Sequence, residues 1–249
     1  MAKLDRMEEA LAKARNGDFT KARTVSRDLG KVAPAHPGLM ELAVAAHQAG
    51  DLPLALRFID RAAVSGSADA LYGRGVVLAA LGRMDEARSA LVKCLERHPR
   101  HELALTNLGG LEHLAGNLAQ AESCYRSVLD FAPQSGLALH NLAGLFLAQG
   151  RSAEAEDFAR RAVAVASGPD TVLRLADILV ETGRHAEAAE MLRPTIDSYP
   201  EDGRLWRAAG RAAHALGRKM EALSAYRTAL GLDSEDVEAS QMISLLGGA

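Results

Sequence analysis

Three stretches decide the fold: Gly116-Asn-Leu-Ala-Gln-Ala121, Gly150-Arg-Ser-Ala-Glu-Ala155 and Gly183-Arg-His-Ala-Glu-Ala188. Each is a glycine followed five residues later by an alanine, and the same pair recurs as Gly17/Ala22, Gly50/Ala55, Gly82/Ala87 and Gly217/Ala222. Successive glycines lie 33, 32, 34, 34, 33 and 34 residues apart. So regular a period makes each unit one supersecondary element with an apolar face that only stacking against its neighbours can bury.

With the turn glycine numbered as position 15 of each unit, position 20 is Ala in all seven. Position 8 is always small: Ala10, Ala43, Gly75, Gly109, Ala143, Ala176 and Gly210. Position 32 is Pro34, Pro99, Pro133 or Pro200 in four units and Ser67, Ser167 or Ser234 in the others. Glycine at position 15 ends a first helix, because it alone takes a left-handed backbone freely. Small residues at 8 and 20 let that helix and the next cross closely. Pro or Ser near 32 stops the second helix and opens the following unit.

Outward from the repeat, composition sets the limits. The 249 residues are 48% apolar and only 4% aromatic, so the core is built from small aliphatics, with Ala and Leu supplying helix propensity. A net charge of −3 gives no reason to expect a nucleic-acid partner. No apolar run is long enough to span a bilayer, and the N-terminus lacks the apolar region of a signal peptide. Cys94 and Cys124 show no metal or redox spacing, which makes a reducing cytoplasm the expected compartment.

The chain resembles the tetratricopeptide-repeat family over nearly its whole length, because several positions agree in register across seven copies; Trp206 also falls at position 4 of the last. The resemblance implies an all-α, right-handed superhelical solenoid of seven helix pairs plus a C-terminal capping helix. One domain is expected over 1–249, with repeats at 3–35, 36–67, 68–101, 102–135, 136–168, 169–202 and 203–234 and the capping helix at 235–247. In the first repeat, Arg6, Glu9 and Lys13 replace apolar residues and the apolar set slides to Leu4, Met7, Leu11 and Ala14. That departure reads as an N-terminal cap; a mis-registered first helix is the alternative. At the other end Ala239, Met242, Ile243 and Leu246 form an amphipathic stripe.

In this family the first helices line a concave groove through positions 2, 5, 6, 9, 12 and 13. Here those positions bring Asn107 and Asn141 (position 6), Gly110 and Gly144 (position 9), His113 (position 12) and His140 (position 5) toward a ligand. Asn can pair bidentately with a peptide unit, and the glycines leave room for a ligand backbone. Two stacked Asn partly resemble the asparagine ladder of O-linked N-acetylglucosamine transferases; the plainer reading is that Asn is a common residue at position 6. Of the five carboxylate-clamp positions only Asn141 and Arg174 match, so chaperone-tail binding is not expected. Arg174, Arg204, Arg207 and Arg211, with Asp177 among them, would make a basic groove end favouring acidic ligands, unless they form an ordinary solvated helix face.

Two charges fall at core-like positions, Arg74 and Glu112, and are expected to pair or else to reach the rim separately. Cys94 is expected to be buried and inert, and His113 with His140 lacks the third ligand a metal needs. No phosphate loop, metal triad or Ser-His-Asp arrangement is legible, so no catalytic residue, cofactor or metal is expected. The leading reading is a non-catalytic scaffold holding a protein or peptide partner. The alternatives are the substrate-recruiting region of a larger bacterial transferase or hydroxylase, which the Ala- and Arg-rich usage suits, and a self-assembling homo-oligomer.

Overall fold

The computed structural model describes residues 2–247, with side chains from Arg6 onward. Among the described residues there are fifteen α-helices, one 3-10 turn and no strand. The helices are α1 (Ala2–Ala14), α2 (Thr20–Arg27), α3 (Pro37–Gln48), α4 (Leu52–Ala63), α5 (Ala68–Ala80), α6 (Met84–Arg97), α7 (Glu102–Leu114), α8 (Leu118–Phe131), α9 (Gly136–Ala148), α10 (Ser152–Val165), α11 (Pro169–Glu181), α12 (His185–Ser198), α13 (Gly203–Ala215), α14 (Lys219–Leu232) and α15 (Val237–Gly247). They form seven pairs of a first and a second helix, and α15 follows the last pair.

The turn glycines behave as the spacing requires. All seven have φ between +71° and +80°. At each, the glycine N–H and the next N–H reach back to two helix carbonyls, as where Gly82 donates to Ala79 O (2.9 Å) and Arg83 to Leu78 O (2.9 Å). These paired bonds satisfy carbonyls that the helix end would otherwise orphan. Outside the first repeat, the residue after the glycine then opens the second helix. Asp51 does so by accepting from Leu54 N, whereas Arg83, Arg151, Arg184 and Arg218 instead pair with the glutamate three residues on.

The small positions sit where the helices touch. Every position-20 alanine is fully buried. At position 8 a Cβ on Gly75 would lie 2.7 Å from Leu91, on Gly109 2.5 Å from Tyr125, and on Gly210 2.8 Å from Tyr226. The alanines at that position, Ala10, Ala43, Ala143 and Ala176, are themselves buried, so in those pairs the crossing accepts one methyl group and the fit is set pair by pair.

The fold divides into two compact units, residues 1–127 and 128–249, with the division inside α8. In the first, α1 packs on α2 and α3, α3 on α4, α4 on α5, α5 on α6 and α7, and α6 on α7. In the second, α9, α11 and α13 pack in succession, each also against its second helix, and α15 closes on α14. There Ala239 and Leu246 are buried, with Met242 and Ile243 packed in the same cluster as Trp206 and Tyr226, as the C-terminal stripe predicts.

The first repeat departs from the pattern at its second helix. α2 has only eight residues and gives way to a 3-10 turn at Leu29–Lys31. The carbonyls this leaves are taken by the next repeat: Arg57 donates to Ser26 O (2.6 Å) and Arg61 to Val32 O (2.7 Å). Of the apolar set expected in α1, Met7 and Ala14 are buried and Leu11 packs on the same cluster, while the Leu4 side chain lies outside the described residues.

The expected pairing of Arg74 with Glu112 is wrong. Arg74 Nε donates to Asp60 on α4 (2.6 Å), one helix earlier. Glu112 is buried and accepts from Arg88 Nε on α6 and from Asn117 Nδ2 in its own turn, both at 2.7 Å. Each charge meets a partner on the second helix that precedes it, not the one on the neighbouring first helix. The Asn117 amide, together with Arg88, holds the Glu112 carboxyl below the usual carboxylate range despite burial. Cys94 is buried as expected; burial pushes its thiol up, and Sγ donates to Ala68 O (3.4 Å).

Candidate partner-binding faces

Each unit presents its own face of first helices. In the first unit Leu103, Asn107, Gly110 and Leu114 recur along α7 at helical spacing and share one side of it. Leu103 is 44% exposed and Leu114 81% exposed, so this side carries apolar surface that the core does not use. The nearest atom to a Cβ placed on Gly110 is Tyr125 Oη at 3.9 Å, so Gly110 leaves the room expected of it. Asn107 is half-buried, and its Nδ2 donates to Tyr72 Oη on α5 (3.4 Å). The Tyr72 ring lies on that of His101 (5.0 Å between centroids), whose Nδ1 accepts from Ala104 N and caps α7. Burial pushes the Tyr72 phenol up. His113 is half-buried on the same helix.

In the second unit the corresponding residues of α9 are Leu137, Asn141 and Gly144. Leu137 is again 44% exposed. Gly144, however, is not open: Arg174 of α11 lies across it, with Cζ, Nη2 and Nε at 3.2, 3.3 and 3.4 Å from where a Cβ would stand. The room expected at this glycine is filled by a side chain of the next repeat. Among the described residues Asn141 makes no side-chain hydrogen bond and Arg174 has no carboxylate partner. The half-buried His140 Nδ1 and Arg174 Nε are out of reach of solvent and lack hydrogen-bond partners. Burial pushes the His140 imidazole down, the Arg174 charge adds to this, and Asp170 opposes it.

The arginines expected to make a basic end are largely neutralised. Arg204 donates to Asp170 and Asp202 (both 2.8 Å), Arg207 to the buried Asp236 (2.9 Å), and Arg211 to Asp177 (2.7 Å). Glu238 on α15 adds a carboxylate 3.4 Å from Arg207 and 3.7 Å from Arg211. Asp202, Asp236 and Glu238 are missed by the sequence reading of the face, as are Tyr72 and His101. A signal for two of the pairs is there: Asp170–Arg204 and Asp177–Arg211 are each separated by 34 residues, one repeat period. Such a spacing puts an acid and a base side by side on consecutive first helices.

Among the described residues no three His, Cys, Asp or Glu side chains gather as a metal site, and no helix is long and apolar enough to cross a membrane.

Comparison with known proteins agrees with this construction. One tetratricopeptide-repeat family profile matches residues 7–70, 115–170 and 173–237, and a second matches 66–134. No curated protein matches the sequence. Among solved structures, the type IV pilus biogenesis factor PilW superposes with a TM-score of 0.74 at 18% identity, covering 82% of this chain and 96% of PilW. A tetratricopeptide repeat protein from Parabacteroides merdae gives 0.70 at 20% identity, covering 98% and 99%. A chain of the APC/C hetero-tetramer Cut9–Hcn1 gives 0.73 at 16% identity; it covers 95% of this chain, which spans only 48% of that one. At such identities the likeness is one of fold. With the profile matches spanning most of its length, the chain belongs to the tetratricopeptide-repeat family.

Proposed function

We propose that the chain is a non-catalytic scaffold that holds a peptide segment or partner protein on the faces of its first helices. Tetratricopeptide repeats are scaffolds of this type, and the fold is generally not an enzymatic one. On the first unit the face comprises Asn107, Gly110 and His113. On the second it comprises His140, Asn141, Gly144 and Arg174, with Asp177, Arg207 and Arg211 engaged in ion pairs that shape it.

The observation that carries the reading is the state of the polar groups around Asn141. A free amide, an unpartnered imidazole nitrogen and an unpartnered guanidinium nitrogen lie on adjoining helices, α9 and α11, with exposed Leu137 on the same face. Buried polar atoms without partners are uncommon and unfavourable. The free Asn141 amide offers a ligand's backbone a donor and an acceptor, while the exposed leucines give an extended segment something apolar to cover. Ordering a flexible ligand offsets part of that gain, so an affinity near 1 µM, about −8 kcal/mol, is expected.

The test is a peptide array probed with the purified chain, followed by titration of the best binder. Asn107→Ala combined with Asn141→Ala should abolish detectable binding with the fold intact by circular dichroism. Binders whose affinity the double variant leaves unchanged would remove these faces from the account.

A further inference from the structure

We infer that the connection from α6 to α7 is a receptor for one phosphoryl group carried on a side chain of a partner protein. The site uses none of the face residues above and is tested separately from the scaffold reading.

The connection reads Arg97-His98-Pro99-Arg100-His101. These five residues line a cavity of about 500 Å³. Every ionisable group among them is a base, and Arg100 is the one arginine in any described loop between repeats. The corresponding turn between α12 and α13 carries Glu201 and Asp202 instead. Glu96 and Glu102 adjoin the stretch in sequence, and Asp69 lies three residues past Gly66. Among the described residues none of the three pairs with Arg97 or Arg100. Arg83 and Arg88, on the same α6, each have a carboxylate partner.

Two of the donors are held in place before a ligand arrives. The Arg97 guanidinium packs on Gly66 in the α4–α5 loop, with Cζ 2.8 Å and Nη2 3.2 Å from where a Cβ would stand, so a side chain at position 66 would displace it. His101 Nδ1 accepts from Ala104 N (3.1 Å), so the neutral imidazole carries its proton on Nε2 and offers a donor there. The Tyr72 ring, 5.0 Å away between centroids, steadies the imidazole plane. Two guanidinium forks and an imidazole N–H therefore border one cavity that no carboxylate enters. A phosphate monoester brings up to two negative charges and three acceptor oxygens that point in different directions, so it engages donors on several sides at once. A carboxylate has two oxygens in one plane and is satisfied by a single fork. Two arginines in a chain of net charge −3 suit an isolated phosphoryl group and not a nucleic-acid backbone.

The test follows the His98, Arg100 and His101 backbone amide resonances by NMR while the full chain is titrated at constant ionic strength. The probes are N-acetylphosphoserine methylamide, inorganic phosphate, N-acetylglutamate methylamide and a thymidine pentanucleotide. Saturable shifts are expected with the phosphoserine probe, which should bind at least as tightly as inorganic phosphate and about tenfold or more tighter than the glutamate probe. No saturable shift, equal affinity for the glutamate probe, or tighter binding of inorganic phosphate or the pentanucleotide overturns the inference.

Arg97→Gln and Arg100→Gln, both at exposed positions, should each weaken the phosphoserine probe about tenfold. Arg97→Lys keeps the charge but loses the fork and should fall between wild type and Arg97→Gln. Gly66→Ala leaves every donor in the chain but unseats Arg97, so it should weaken binding as well. Wild-type affinity in both glutamine variants would show that the arginines do not hold the probe and would likewise overturn the inference.

Discussion

Repeats four and five carry the same letters in the same register and use them differently. Both present Leu, Asn and Gly at positions 2, 6 and 9: Leu103, Asn107 and Gly110 in one, Leu137, Asn141 and Gly144 in the other. In repeat four the Asn is held by Tyr72 and the glycine is open. In repeat five the Asn is free and the glycine lies under Arg174. The residues that make the difference belong to adjacent repeats. A repeat's sequence therefore specifies its own hairpin, while the chemistry of its exposed face is decided by what the neighbouring unit lays on it.

The largest contrast sits at position 11. Repeat four has Glu112 there, buried between Arg88 and Asn117; repeat five has Phe146, buried against Phe158 with the Arg151 guanidinium 4.1 Å above its ring. Phe146→Ala should lower stability by about 3–5 kcal/mol in urea unfolding at any pH, since only packing is lost. Arg88→Ala and Asn117→Ala should each lose about 1–3 kcal/mol at pH 7, by leaving a buried carboxylate short of a donor. The sign with pH follows from the Glu112 carboxyl lying below its unfolded value. Its contribution is present above the ordinary glutamate pKa and is lost as pH falls through the depressed one. The wild-type advantage over Arg88→Ala and Asn117→Ala should thus shrink in acid. An advantage equal at neutral and strongly acidic pH would mean that the Glu112 network contributes by packing alone.

Position 8 gives a smaller and sharper contrast. Gly109 lies against the buried Tyr125 ring, where a Cβ would come within 2.5 Å; at the corresponding places repeat five carries Ala143 and Ala159. Gly109→Ala should destabilise by about 1–3 kcal/mol through overpacking, less the ~1 kcal/mol that Ala gains over Gly in a helix. Gly109→Ala with Tyr125→Ala reproduces the pair of repeat five, so their coupling in a double-mutant cycle should be favourable. Strict additivity would show that the two positions do not share the space assigned to them.

These cases explain what was legible. Turn glycines, small contacts at positions 8 and 20 and the C-terminal stripe are enforced within a single hairpin or by the period, so they repeat and can be read. Which atom fills the notch of Gly144 depends on the reach of Arg174 from another helix, and a long, flexible side chain has many places to go. The same freedom misleads the pairing of Arg74 with Glu112, where each charge finds its partner on a second helix instead. The shortened α2 was unreadable because its carbonyls are satisfied by Arg57 and Arg61, a repeat away. The neutralised basic end was half legible, since Asp170 and Asp177 stand one period before their arginines.

At position 9 the comparison can be tested by adding one methyl group to each repeat. Gly110→Ala meets nothing closer than 3.9 Å and should stabilise by up to about 1 kcal/mol from helix propensity. Gly144→Ala makes the same gain but displaces the Arg174 guanidinium, a flexible side-chain end, so its thermal midpoint should stay near wild type. Equal stabilisation by both would show that Arg174 is not seated on Gly144.

The smallest expected effect reports on the same contact from the other side, at position 5, where repeat five has His140 and repeat four has Thr106. His140 lies below the ordinary imidazole value because it is buried and because Arg174 is near, with Asp170 pulling the other way. Arg174→Gln removes one depressing influence and leaves burial in place, so the His140 pKa should rise but stay below that of an unfolded histidine, about 6.5. A folded-state value below the unfolded one means that the unfolded chain binds more protons in the window between them. Stability from this site is therefore complete above pH ~6.5 and falls as pH drops below it. The fall should be shallower in Arg174→Gln than in wild type. NMR titration of the His140 ring carbons reads the shift directly, and an unchanged midpoint in Arg174→Gln would mean that the guanidinium does not stand close enough to the imidazole to influence it.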